Sequence, residues 1–154
     1  MNLSPVDCAC LLPSTQYLSY LLDKGGNISY SQVFDLPSSF FYSLLAPTSL
    51  PCSFLLQTTS IDLFQLNKKQ PLLHLLAKIH KFTGVEAIAS CLIQNGIDIN
   101  QLNTNGESVL HTCVQYNNIF LLTYLINNGA KTDILNNQHK TAYQVYYDTT
   151  INNK

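Results

Sequence analysis

The chain has 154 residues, of which 46% are apolar and only 11% charged, against roughly 25% charged in an average soluble protein. That length suits one domain with a sizeable core, and no uninterrupted apolar run approaches the ~18 residues of a membrane span. A formal charge of -1, with no arginine and no basic cluster, removes the electrostatic case for nucleic acid or an anionic membrane as partner.

The N-terminal residues lack a positive n-region, and Asp7 interrupts their apolar stretch, so no secretory signal peptide is expected. A first helix is predicted near Val6 to Leu12. A second follows over QYLSYLLDKGGNI, Gln16 to Ile28, where Gly25 supplies the left-handed residue that stops a helix. Residues 29–66 are the least regular. Phe34, Leu36, Phe40, Phe41, Leu44 and Leu45 could share one helical face broken by Pro37, and Pro47 and Pro51 bracket a turn before Cys52. Order returns over 67–102. A first helix begins near Gln70-Pro71-Leu72-Leu73-His74, and a second carries Ala87, Ile88, Cys91, Leu92 and Ile93 before Gly96. The extra residues around Lys78 to Gly84 either lengthen the first helix or widen the loop behind it. The clearest stretch is Asn103 to Leu135, with a turn at Asn103, Asn105 and Gly106 and two apolar helices ending at Asn127-Asn128-Gly129. From Asn136 a further unit begins, and the polar tail Asp148 to Lys154 reads as a cap.

These segments echo one another. Asn136, Lys140 and Thr141 stand 33 residues after Asn103, Glu107 and Ser108, and LTYLINNGAKT at Leu122 parallels LSYLLDKGGNI at Leu18. Two short helices per 33-residue period resemble the ankyrin repeat. Gly106-Glu107-Ser108-Val109-Leu110-His111-Thr112-Cys113 is similar to that family's G-x-T-P-L-H-x-A pattern, departing from it in Ser for Thr, Val for Pro and Cys for Ala. The resemblance implies an all-α, ankyrin-like solenoid of helix-turn-helix repeats with a degenerate N-terminal part. Within one domain, 1–154, it predicts a capping unit at 1–28, a degenerate unit at 29–66, repeats at 67–102 and 103–135, and a C-terminal cap at 136–154. Atypical ends fit, because each unit buries its face against its neighbours.

Candidate chemistry is sparse. His74 and His111 occupy equivalent positions after a helix start, where the family uses the residue to tie neighbouring loops by hydrogen bonds. Cys113 would lie about 200° around the helix from His111, which argues against a catalytic pair. Cys8 and Cys10 offer two thiols where a structural zinc site wants four ligands; two half-buried helix cysteines are the simpler reading. The odd number of cysteines, with no second pair, points to a reducing compartment. His80 lies in a solvated loop, and His139 stands where glycine is usual, in a turn geometry that histidine tolerates. Asp62, Asp98 and Asp133 follow helix ends as loop residues. No phosphate loop, nucleophile elbow or paired-histidine metal motif occurs, so no enzyme, metal or cofactor is expected.

Surface remains. The resemblance places loop tips and first helices on one concave face, carrying Phe64, Gln65, Gln101, Asn103, Asn105, Glu107, Gln115, Tyr116, Asn137 and Gln138. Such an amide-rich set suits a neutral, hydrogen-bonding contact with another protein, and Tyr116 is a plausible anchor. The implied function is a protein-interaction module, monomeric when free and cytoplasmic. Asn- and Ile-rich usage adds the option of a bacterial effector secreted into a host cell. Two rivals stay open: an enzyme or enzyme regulator using Cys52 or the Cys8/Cys10 pair, and self-assembly through the aromatic segment Phe40 to Tyr42.

Overall fold

The computed structural model describes residues 3–27, 30–31, 36–37, 42–46, 49–58, 71–78 and 84–152. Phe64, Gln65, His80 and the Phe40–Phe41 pair therefore lie outside the described residues, as does half of the unit expected at 29–66. The chain packs as two compact units, one formed by Met1–Gln70 with Phe82–Cys91 and the other by Pro71–Lys81 with Leu92–Lys154.

In the first unit, helix α1 (Pro5–Cys10) packs on α2 (Gln16–Asp23). Pro5 sits at the first helical position, where its missing N–H costs nothing. A capping box closes the turn: the Asp7 backbone N–H donates to Ser4 Oγ at 3.1 Å, and the Ser4 N–H donates to Asp7 Oδ2 at 3.0 Å. Val6, Ala9 and Cys10 of α1 meet Leu18 of α2 and Leu55 of α3 (Leu50–Thr58) in a sealed core. The cysteine pair departs from expectation. Cys8 is exposed and Cys10 fully buried, because residues two apart on a helix face opposite sides.

Of the helical face expected from Phe34 to Leu45, Phe34, Phe40 and Phe41 lie outside the described residues, and Leu36 is not helical. Leu36–Pro37 (β2) runs antiparallel to Tyr30–Ser31 (β1), with Tyr30 opposite Pro37 and Ser31 opposite Leu36. Proline drives the residue before it out of the helical region, so Leu36 is extended; residues 42–44 are helical. Helix α5 (Val85–Gln94) divides between the units, its first seven residues belonging here.

The second unit is built from α4 (Leu72–Lys78), α6 (Val109–Gln115), α7 (Ile119–Asn127) and α8 (Ala142–Asn152). α4 packs on α6 and α6 on α8, while α7 folds back against α6. The residues between Lys78 and Gly84, expected either to lengthen the first helix or to widen the loop, lie outside the described residues. Leu72, Leu73, Leu76, Leu121 and Leu125 are sealed from water. Asn118 joins two helices: its Oδ1 caps α7 by accepting from the Leu121 N–H at 3.2 Å, and its Nδ2 donates to the Ala77 carbonyl at 3.2 Å.

One backbone device stops three helices. After α7, the Gly129 N–H donates to Ile126 O (3.1 Å) and the Ala130 N–H to Leu125 O (2.9 Å), with Gly129 at φ +88°. This is the paired closure that needs a left-handed residue, and glycine adopts it without steric cost. The same two bonds recur at Gly96–Ile97 and Gly25–Gly26. Helix α8 runs into the polar tail as far as Asn152. Thr141 and Gln144 form a capping box at its start, and a 2.7 Å ion pair from Lys140 Nζ to Asp148 Oδ2 pins its middle.

Candidate partner-binding surface

Two loops of the second unit are folded alike. In the first, Asn103 Oδ1 accepts from the N–H groups of Asn105 (2.9 Å) and Glu107 (3.0 Å), while Asn103 Nδ2 donates to Glu107 Oε2 at 2.9 Å. Thirty-three residues on, Asn136 Oδ1 accepts from the N–H groups of Gln138 (2.9 Å) and Lys140 (3.1 Å). An asparagine bonding to backbone two residues ahead nucleates such a turn locally. Each turn then needs a left-handed residue: Gly106 takes φ +69° and His139 φ +57°. Gly106 is also the point where the loops approach, since a Cβ there would collide with the Asn137 side chain.

Buried histidines hold the loop bases. A carbonyl can only accept, so the bonds from His74 Nε2 to Gln101 O (3.1 Å) and from His111 Nε2 to Lys140 O (2.9 Å) place the proton on Nε2 in both rings. Nδ1 is then the acceptor, taking the Thr112 hydroxyl at 2.8 Å in His74 and the Ser108 hydroxyl at 2.8 Å in His111. Both rings are fully engaged as neutral imidazoles, and they position loops. Burial pushes His74 below the ordinary histidine value, against a smaller opposing pull from the Gln101 carbonyl.

The sign of the pH effect follows. Below about pH 6.5 the unfolded chain binds a proton at this position before the folded chain does. The contribution of His74 is therefore fully present above that value and is lost as the pH falls below it. The urea midpoint of the wild type should drop between about pH 7 and pH 5.5, with a smaller drop in His74→Gln. Equal drops in the two proteins would remove His74 as the cause.

Between the two loops lies a polar concavity of about 280 Å3 lined by Asn105, Glu107, Asn136, Asn137 and Gln138. The structure thus brings together four of the residues singled out from sequence: Asn105, Glu107, Asn137 and Gln138. It also adds Asn136, whose 33-residue spacing from Asn103 was the available signal. Asn103 serves the loop scaffold, and the Gln101 backbone carbonyl serves His74. Gln115 is exposed at the end of α6 and Tyr116 is its half-buried C-cap; neither lines the concavity.

The cysteines are mostly closed off. Burial pushes Cys10 and Cys113 up to about 12. Cys52 and Cys91 share a hydrogen bond; it and burial raise Cys52, while Cys91 is held down to about 7 by the Cys52 thiol. Cys10, Cys52, Cys91 and Cys113 are nevertheless all buried, and Cys8 is exposed. A thiol-specific aromatic disulfide should therefore label one site quickly in the native protein, and Cys8→Ser should abolish that phase. A fast phase surviving in Cys8→Ser would show that one of the buried thiols is open to solvent.

Stacked helical hairpins with matching loops at a fixed spacing define a helical-repeat scaffold. Residues 73–145 match the family profile described as ankyrin repeats (3 copies), and such repeats are protein–protein interaction modules. Rabankyrin-5 of Mus musculus is 39% identical over 46 residues, which is 30% of this chain and 4% of that protein. Neurogenic locus notch homolog protein 1 of Homo sapiens is 34% identical over 58 residues, which is 38% of this chain and 2% of that protein. The chain thus spans only a few per cent of the length of these relatives. Among the described residues, no helix is long and apolar enough to cross a membrane.

Proposed function

We propose that the chain binds a partner protein through the polar concavity between the loops at 103–107 and 136–140. The observation that supports this most directly is the concavity's lining: four amide side chains and one carboxylate, presented on turns already fixed by hydrogen bonds to Asn103 and Asn136. Fixed turns lose little conformational freedom on binding, so less of the contact energy is spent on ordering. Amides donate and accept equally, which suits a neutral partner segment with exposed backbone or amide groups. Gln101, Asn103, Gln115, Tyr116, Phe64 and Gln65 belong to the wider proposed surface. The chain acts as an adaptor or as a host-directed effector, working in the cytoplasm of its own cell or of a host. As a free protein it is monomeric, and it catalyses no reaction.

The test is capture of partners from candidate host lysates by wild type, Asn105→Lys/Gln138→Lys and Tyr116→Ala, followed by titration of the captured protein in purified form. Specific loss in the double variant, with helical content unchanged, supports the concavity. Loss only in Tyr116→Ala moves the contact to the end of α6. Equal binding by all three sinks this reading.

A further inference from the structure

The two matching loops differ at one position, and the difference bears on what the concavity can recognise. In the first loop both ends of the Asn103 amide are engaged: Oδ1 holds two backbone N–H groups, and Nδ2 donates to Glu107 Oε2 at 2.9 Å. Asn136 repeats only the Oδ1 half, with the N–H groups of Gln138 and Lys140 at 2.9 and 3.1 Å. The residue 33 after Glu107 is Lys140. Its ammonium can only donate and is turned to Asp148 Oδ2 at 2.7 Å. Asn136 Nδ2 therefore has no acceptor in its own loop, and none elsewhere among the described residues.

This donor belongs to the concavity. Asn136 is only 8% exposed and lines the hollow between the loops. Its Oδ1 faces the loop's own backbone, which leaves Nδ2 as the polar atom for an occupant. Both partners of Oδ1 are N–H donors, so the amide cannot be turned end for end. A buried donor without an acceptor is costly, and an incoming acceptor relieves that cost. Glu107 supplies the complement. Asn103 holds its Oε2, and no described residue donates to Oε1.

One buried donor beside one carboxylate narrows the chemistry of the occupant. An anion would satisfy Asn136 and be repelled by Glu107. An ammonium would suit Glu107 and leave Asn136 unpaired. An amide carries C=O and N–H side by side with no net charge. We propose that Asn136 and Glu107 form an amide-recognition site in the concavity, Asn136 Nδ2 donating to the carbonyl oxygen of a partner's amide and Glu107 accepting from its N–H. The inference rests on the concavity being the partner-binding surface, and it makes Asn136 the residue that sets specificity there.

The probes are N-acetyl methylamides of glutamine, alanine, glutamate and lysine, titrated into the 15N-labelled full chain while the Asn136 side-chain NH2 signals are followed by NMR. The glutamine compound should shift them saturably, with Kd on the order of millimolar. An equal shift from the alanine compound makes the recognised amide a backbone one; a shift from glutamine alone makes it a side-chain carboxamide. Neither charged compound should bind more tightly than the glutamine one. Asn136→Asp keeps the oxygen that holds the turn and removes the donor. Lys140→Gln gives Asn136 an acceptor within its own loop. Each should weaken glutamine binding by about fivefold or more, with the backbone spectrum verifying the fold. Asp148→Asn breaks the same ion pair as Lys140→Gln without supplying an acceptor, and should bind as wild type does. Absence of a saturable shift, tighter binding of a charged compound, or unchanged binding in Asn136→Asp overturns the proposal. The underlying reading fails differently. Partner capture lost in Asn105→Lys/Gln138→Lys but kept in Asn136→Asp removes the amide contact alone, whereas capture kept in both removes the concavity as well.

Discussion

His111→Ala is expected to lower stability by about 3 kcal/mol. The ring is 2% exposed, so its removal leaves a void in a packed site. It also removes a partner from three groups at once: the Ser108 N–H (3.2 Å) and hydroxyl, and the Lys140 carbonyl, which keeps the Asn136 N–H at 3.0 Å. An unsatisfied buried polar group costs about 1–3 kcal/mol, and some of these will find water near the surface, which keeps the total from adding fully. Urea unfolding measures the loss. Hydrogen exchange adds a spatial readout, because Lys140 anchors the loop from Asn136, whose amides should lose protection first. His111→Gln can still donate to Lys140 and should recover part of the loss. A cost below about 0.5 kcal/mol, the range of an ordinary surface change, would show that the ring does not hold the loop.

The second large effect separates the two faces of α7. Leu121→Ala should cost about 3 kcal/mol, in the range for burying nothing where a leucine was enclosed. Leu121 is fully buried, one turn before Leu125, and its N–H is tied to Asn118. Ile126→Glu, on the outward face of the same helix, should change stability by no more than about 0.5 kcal/mol. Thermal or urea unfolding of the two variants side by side gives the contrast. Comparable losses in both would mean that α7 is not seated by its inner face as described.

Much of the second unit was legible because its signals are local and repeated. Asn103 and Asn136 carry the same turn at the same spacing, Gly96 and Gly129 stop helices by the same two bonds, and His74 and His111 sit where a side chain must bridge to the next loop. His139 could be placed in a left-handed turn from its alignment with Gly106 alone. Between Gly26 and Pro71 the echo is weaker and out of step, with Ile61 to Asn67 paralleling Ile97 to Asn103 in sequence at a spacing of 36. Whether Leu36 continues a helix or pairs with Ser31 depends on a proline and on a partner strand, and apolar spacing reports neither. The extension of α8 was readable in principle from Thr141-x-x-Gln144, but charge and polarity in the tail masked it. The concavity was only partly legible. Side-chain type identified Asn105, Glu107, Asn137 and Gln138, yet it could not separate them from Asn103 and Gln101, whose groups are consumed in holding the scaffold.

The bonds that stop the helices and close the first loop also bear on how the chain ages. Asn95–Gly96, Asn105–Gly106 and Asn128–Gly129 are dipeptides in which the glycine nitrogen can attack the asparagine side-chain carbonyl, expel ammonia and leave a cyclic imide. In the folded protein each of those nitrogens is engaged, Gly96 to Ile93 O at 2.9 Å, Gly106 to Asn103 O at 3.0 Å and Gly129 to Ile126 O at 3.1 Å. Attack requires the nitrogen to leave its hydrogen bond and the backbone to leave its turn. Deamidation at these three places is thus slowed by folding, and the new carboxylates it creates would accumulate in step with the fraction of time each turn spends open.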